Sequence, residues 1–356
     1  MYSSVINDYM NTHLEINKRL SCPACFRNLI FSRGSYICPH CSHTYLIKAG
    51  IPIFSNNTQY LGEVEKSELE FINERLEKQP LDTIVRTLEK DTRELISFLL
   101  GAGRAHGLDV LKIRSDDYVL DLGAGYGGLS LAIADTGAHV DSVEWVMEKL
   151  VFLRSLARQR GLENINCIKA DCKTLPYAPE TFTKIIMNGF LEWIPLEFLE
   201  MKPKNAQIRV LQKCHDLLKD SGRLFIGIEN RCWYPYFLGY HDPHERRLRF
   251  VTILPRCIAS IISYVWRGKP YRTHIYTSRG YKKLLHSVGF KDVQVYGVMP
   301  SYVEPDTIVE EHSLNNYFAD CFHKGKMTIK KLVKCMVLHL GLSKFFVHSF
   351  ILVARK

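Results

Sequence analysis

Residues 119–128, Val-Leu-Asp-Leu-Gly-Ala-Gly-Tyr-Gly-Gly, constrain the fold more than any other stretch of this chain. Tyr118 to Leu122 reads as a short buried strand of apolar and β-favouring residues. It runs directly into a glycine-rich turn, and residues 129–135 then read as a helix. Strand, glycine turn and helix make the first βα unit of an open α/β sheet. The glycines allow a sharp turn and leave the backbone open to a ligand.

The spacing Gly123-x-Gly125-x-x-Gly128 also fits a dinucleotide site, but Asp121 argues against one. A carboxylate at the end of this strand would face a pyrophosphate and repel it. It suits a ligand carrying an ammonium group there. A second strand, residues 139–144, ends on Glu144, where a carboxylate binds ribose hydroxyls. On these residues the chain resembles the class I S-adenosylmethionine-dependent methyltransferases, over roughly residues 106–356. The resemblance implies a Rossmann-like sheet with an antiparallel last strand, and says little about the acceptor. It implies that Gly123 and Gly125 meet the methionine part of S-adenosylmethionine and that Asp121 lies near its amino group. Glu144 would take the ribose hydroxyls, Trp145 flank the adenine, and Asp171 accept from the adenine amino group. Asn188, ending the fourth strand, would face the methionine end.

Nearer the N-terminus stand Cys22-Pro-Ala-Cys25 and Cys38-Pro-His-Cys41, with twelve residues between them. Two such knuckles on a short hairpin turned at Gly34 put four thiolates on one structural Zn²⁺. His40 and His43 read as bystanders. The knuckles and the following Gly-Ile-Pro-Ile resemble the zinc-ribbon activators of transfer-RNA and release-factor methyltransferases, over about residues 20–55.

The expected organisation is a ribbon over 1–57, a helical connector over 58–105 and a methyltransferase domain over 106–356, with insertions near 231–280 and 312–345. In the connector, residues 61–78 read as one helix and 82–101 as a second, capped by Asp82, with Ile84, Leu88, Leu95 and Leu99 on one face. Strands are expected at 118–122, 139–144, 165–169, 184–188 and 223–228, and later at 293–298 and 350–354. Helices are expected near 129–135, 147–161, 206–218 and across 315–342. Such alternation implies a parallel sheet with right-handed crossovers.

Eleven cysteines, seven of them scattered outside the knuckles, do not read as a secreted disulfide framework, so a reducing cytoplasm is expected. No secretory leader opens the sequence and no apolar run reaches the roughly 18 residues of a membrane span. The net charge of +10 is concentrated. Residues 246–283 carry ten Lys or Arg and no acid, and residues 321–356 carry eight and none. That focus suits an anionic partner, whether nucleic acid, lipid surface or phosphorylated substrate, or else a solvated face.

After the fifth strand comes a polar and aromatic cluster, residues 228–244, holding Glu229, His241 and His244. In an α/β sheet this is the ligand end. Methyl transfer to a hydroxyl profits from a base, for which His241 or His244 is the natural candidate beside Glu229. The Glu-Asn-Arg segment with a downstream Asp-x-His resembles methyltransferases encoded with bacterial surface-polysaccharide enzymes, which implies a saccharide or lipid-linked glycan acceptor. The ribbon and the basic segments favour ribosomal or transfer RNA instead. A non-catalytic zinc-ribbon binding protein is a third reading. Residues 257–266, apolar between basic flanks, suit a helix packed on the sheet or one lying on a membrane surface.

Overall fold

The computed structural model describes residues 19–245, 247–323, 335–336 and 338–356. The chain forms two compact units. The first comprises the described part of Met1–Ala102 with Lys112–Ile186 and Asp216–Gly222. The second comprises Gly103–Leu111, Met187–His215 and the described part of Arg223–Lys356.

The first unit opens with four short antiparallel strands in the order β1-β2-β3-β4: β1 (Ile30–Ser32), β2 (Ser35–Ile37), β3 (Thr44–Lys48) and β4 (Ile51–Pro52). Arg33 and Gly34 turn the β1–β2 hairpin with φ of 49° and 73°, the positive pair that a two-residue type I′ turn demands. Helices α1 (Lys66–Leu76), α2 (Leu81–Val85) and α3 (Lys90–Leu99) follow. The second connector helix expected over 82–101 is therefore two. Asp82 lies in the first turn of α2 and makes no cap bond; Pro80 stands at the N-cap. At the break the Thr87 hydroxyl bonds the Ile84 carbonyl, a local bond that competes with helix continuation. The expected apolar face holds nonetheless. Ile84 and Leu99 join Ile72, Leu76, Leu150 and Phe152 in one core.

That core lies against the strand–helix alternation. Strands β5 (Tyr118–Leu122), β6 (His139–Glu144), β7 (Ile165–Lys169) and β8 (Phe182–Asn188) run parallel in the order β8-β5-β6-β7. Helix α4 (Gly128–Asp135) links β5 to β6, and α5 (Met147–Gln159) links β6 to β7. The first three strands coincide with their expected bounds. β7 does not end the assembly. Ile53 pairs with Lys169 in a parallel bridge, and the Phe54 amide bonds the Lys169 carbonyl at 2.8 Å. Leu20 bridges Tyr177. The small antiparallel module thus covers the edge of β7, which would otherwise present unpaired backbone groups.

Helix α6 (Pro203–Leu217) precedes β9 (Leu218–Glu229), of which Arg223–Glu229 belongs to the second unit. Ser221 at φ 62° makes a left-handed turn inside β9. Pairing with the last strand runs from Arg223 to Glu229, close to the expected start. Helices α7 (Tyr234–Phe237), α8 (Arg256–Arg267) and α9 (Ser278–His286) follow. Then come β10 (Lys291–Pro300), β11 (Pro305–Glu310), α10 (Leu314–His323) and β12 (Ser349–Arg355). β12 lies antiparallel between β9 and β10, the inserted last strand that was expected. β11, antiparallel to β10, was not foreseen. Of the helix expected over 315–342, residues 324–334 and 337 lie outside the described residues.

Candidate functional site

The glycine loop after β5 folds back onto β6. The Gly123 and Ala124 amides both bond the Val143 carbonyl, at 2.9 and 3.0 Å. Gly125 sits at φ +55°, and a Cβ built on it would have nothing within 4 Å. The backbone therefore lies bare beneath open space. Gly127, at φ +85°, caps α4, and a Cβ there would strike Leu153 at 2.1 Å.

Glu144 is held by three backbone donors. The amides of Trp145 and Val146 bond Oε1 at 2.8 and 3.0 Å, and Gly125 N–H bonds Oε2 at 3.1 Å. A carboxylate offers about four lone-pair sites, so one remains for a further donor. The carboxylate is half-buried, and its bond to Gly125 fixes it beside the bare stretch of loop. Trp145, next along, is also half-buried. A ribose, which brings hydroxyl donors, fits this arrangement.

Asp121 is buried, and its Oδ2 accepts from Ser130 in the first turn of α4 at 2.6 Å. Asp171 is tied to the N-terminal module. Ser55 Oγ donates to its Oδ2, while Thr174 Oγ1 and Lys173 N–H donate to Oδ1 at 2.8 and 3.0 Å. The neighbouring Lys169 donates its ammonium to the carbonyls of Ser55 and Asn57. Burial pulls that ammonium below its ordinary range. Asn188, in the second unit, lies so close across Gly227 that a Cβ there would meet its Oδ1 at 2.0 Å.

The four ribbon thiols converge. Cys22 and Cys41 sulfurs are 3.6 Å apart, those of Cys25 and Cys38 are 3.4 Å apart, and all four lie within 4.8 Å of one another. Sulfurs about 2.3 Å from a tetrahedral Zn²⁺ stand about 3.8 Å apart, so the set fits that ion. Both knuckles turn alike: the residue after each second cysteine, Phe26 and Ser42, has φ 60°. Each also returns its amide to the first cysteine's carbonyl, at 2.7 and 2.9 Å. His43 Nδ1 lies 3.3 Å from Cys41 Sγ, outside the thiol set.

In the second unit the Glu-Asn-Arg segment divides its labour. Asn230 holds the carbonyls of Lys344 and Val347, and Arg231 holds those of Thr252, Ile253 and Leu254. Glu229 points elsewhere. Its Oε2 lies 3.5 Å from His244 Nε2, and Glu192 Oε1 approaches the same nitrogen at 3.4 Å. These side chains are 9%, 3% and 0% exposed respectively for Glu229, His244 and Glu192, so the cluster is sealed from bulk water. Asp242 builds the loop that delivers His244. It accepts from the amides of His244 and Glu245, and from Thr252 and Tyr271 hydroxyls at 2.7 and 2.8 Å. Tyr302 donates to Glu229 Oε1 at 3.2 Å.

Burial works to discharge His244, but Glu229 and Glu192 outweigh it and hold the imidazole well above its ordinary value. Burial pushes the Glu192 carboxyl up; Glu229 goes down, because His244 overcomes the effect of burial. His241 does not join them. It lies on the surface with Nε2 3.2 Å from Arg249. Sequence reasoning missed Glu192, which sits inside the apolar run Phe-Leu-Glu-Trp-Ile and gives no polar pattern.

Part of the basic stretch is consumed internally. Arg256 bonds the Ile275 carbonyl, Arg272 bonds those of Pro195, Phe198 and Met201, Arg267 pairs with Glu245 and Lys282 with Glu311. Helix α8 also departs from the packed reading. It buries Ala259 and Ser263 and turns Ile261, Tyr264, Val265 and Trp266 outward, the last two more than 70% exposed.

A family model described as a methyltransferase domain matches residues 119–222, the span from β5 through the glycine loop and Glu144 to the start of β9. The "Ubiquinone biosynthesis O-methyltransferase" of Xylella fastidiosa (strain M23) is 34% identical over 120 residues, covering 34% of this chain and 45% of that protein. A "23S rRNA (uracil(1939)-C(5))-methyltransferase" of Xanthomonas axonopodis pv. citri is 30% identical over 127 residues, covering 34% and 28%. The chain spans about half the length, or less, of these curated relatives. Among solved structures, an S-adenosylmethionine-dependent methyltransferase of Methanosarcina mazei aligns with TM-score 0.42 and 16% identity, over 70% of this chain and 96% of that one. Among the described residues no helix is long and apolar enough to cross a membrane.

Proposed function

We propose that this chain is an S-adenosylmethionine-dependent O-methyltransferase whose acceptor is a hydroxyl of a lipid-linked saccharide. Glu144 carries the cofactor reading: three amides fix its carboxylate beside a bare glycine loop, with capacity left for a ribose hydroxyl. The cofactor supplies an electrophilic methyl group on a sulfonium sulfur. Gly123 and Gly125 give it room, Trp145 borders its adenine, and Asp121 lies at the methionine end; Asn188 is a candidate for that end from its strand position alone. Asp171 shapes the adenine side through its Ser55 and Thr174 bonds. In the second unit, the carboxylates of Glu192 and Glu229 with His244 are the candidate groups for taking up an acceptor hydroxyl's proton. His241 is the alternative base.

An oxygen acceptor agrees with the O-methyltransferase named among the relatives. A lipid-linked one is favoured by α8, whose apolar face points outward between Arg256 and Arg267. Such a helix suits the interface of an anionic membrane, with its aromatic and aliphatic side chains in the headgroup boundary. RNA is the second reading, carried by the ribosomal-RNA methyltransferase among the relatives and by the charge of residues 246–283. The four cysteines hold a structural zinc, leaving no open coordination position on it.

Labelled methyl transfer into lipid, glycan and RNA pools separates these readings. Label in the lipid or glycan fraction supports the proposal; label confined to RNA replaces it with the second reading.

A further inference from the structure

We infer that Glu192, Glu229 and His244 form a binding site for one divalent metal ion, distinct from the ribbon thiols. The inference concerns ion binding and stands whether or not the chain transfers a methyl group.

Three ligand atoms, Glu192 Oε1, Glu229 Oε2 and His244 Nε2, lie within 4.8 Å of one another. Read as an ion pair, the cluster is poorly made. A charge-assisted N–H···O bond spans about 2.7–2.9 Å, whereas the two carboxylates stand 3.4 and 3.5 Å from one nitrogen. That nitrogen has a single proton to give. Among the described residues, neither oxygen of Glu192 nor Glu229 Oε2 finds a hydrogen-bond donor, although all three atoms are buried. An unsatisfied buried carboxylate oxygen is costly, and here there are three.

Read as ligands, the same distances are natural. Donor atoms about 2.1 Å from a metal, at a tetrahedral angle, lie about 3.4 Å apart. Two carboxylates and one neutral imidazole balance a divalent ion's charge and leave coordination positions for water or a hydroxyl ligand. Imidazole with carboxylates selects an ion of the manganese-to-zinc series over calcium, and over the soft metals that thiolates prefer. The supporting shell is built. Tyr302 donates to the other oxygen of Glu229, and Asp242 fixes the backbone at His244 through its amide. Gln207, itself buried, holds the Leu191 carbonyl next to Glu192 at 3.0 Å. Outer-shell bonds of this kind orient ligands.

The test counts metal on the full-length chain, as purified and after saturation with Mn²⁺, by elemental mass spectrometry and by loss of the free Mn²⁺ paramagnetic signal. Glu192→Gln keeps the side chain's shape and removes its charge. It should bind one divalent ion fewer than the unaltered chain, or bind Mn²⁺ at least tenfold more weakly, with its thermal transition retained. His244→Ala should behave alike. Cys38→Ser, altering only the ribbon, should keep the Mn²⁺ site. An unaltered, folded chain that takes up no ion in excess of Glu192→Gln would overturn the site, as would equal Mn²⁺ affinity in the two.

Discussion

Glu144 concentrates the chemistry of the first unit in one carboxylate. On the proposed cofactor reading, replacing it by alanine removes an acceptor for a ribose hydroxyl, worth on the order of 1.5–3 kcal/mol, or about 10- to 150-fold in affinity. It also strips the Gly125, Trp145 and Val146 amides of their partner, so the glycine loop loses an anchor. Glu144→Gln separates the two effects, because an amide oxygen can still accept from those amides while the charge is lost. Calorimetry with S-adenosylmethionine should show the glutamine variant intermediate between the unaltered chain and Glu144→Ala. Gly125→Arg should abolish binding outright, since its Cβ enters the open space over the loop at an unfavourable φ. At this scale the sequence spoke clearly wherever a residue's place followed from its strand. Asp121, Glu144 and Asn188 each sit at or near the end of the strand expected for them. It was silent where a partner lies far along the chain. Nothing near Asp171 announces Ser55, and nothing near Glu192 announces His244.

Among elements, the covering of β7 by the N-terminal module makes a stability prediction. Lys169 holds the Ser55 and Asn57 carbonyls from within the sheet, so Lys169→Met should loosen that module while leaving the parallel strands paired. Hydrogen exchange should speed up over β1 to β4 and change little over β5 and β6; uniform acceleration would contradict the account. Cys38→Ser should have a similar local effect and should lower bound zinc by about one per chain. Helix α8 is the element that hydropathy could not orient. An amphipathic pattern fixes which residues share a face, but an apolar face packs inward or turns outward on the same pattern. The structure turns it outward. Trp266→Ser with Val265→Ser should leave the fold's melting temperature within a few degrees and reduce co-sedimentation with anionic vesicles severalfold. Co-sedimentation unchanged by the pair would remove the lipid-surface reading.

For the molecule as a whole, charge is less available than composition implies. Of the ten basic residues in 246–283, Arg256, Arg267, Arg272 and Lys282 make internal bonds that hold the second unit together. Lys282 and Lys344 both reach Glu311, overcoming burial and holding its carboxyl down at about 2. Because the folded state depresses this acid, its stabilising contribution is complete above the ordinary carboxylate range. It disappears as pH falls from about 4.5 towards about 2. Glu311→Gln should therefore lower stability at pH 7 and make acid unfolding shallower across that window, as measured by chemical denaturation at several pH values. The parallel α/β sheet followed from alternating periodicity and one glycine loop, and the inserted antiparallel strand from the family resemblance. The acceptor did not, because acceptor specificity rests on side chains assembled from distant segments. The central claim is narrower than the acceptor. It is tested most directly by titrating S-adenosylmethionine into the full chain and into Gly125→Arg in a calorimeter. One saturable site in the former and none in the folded variant is the predicted result. No binding to the unaltered chain, or equal binding by both, would contradict it.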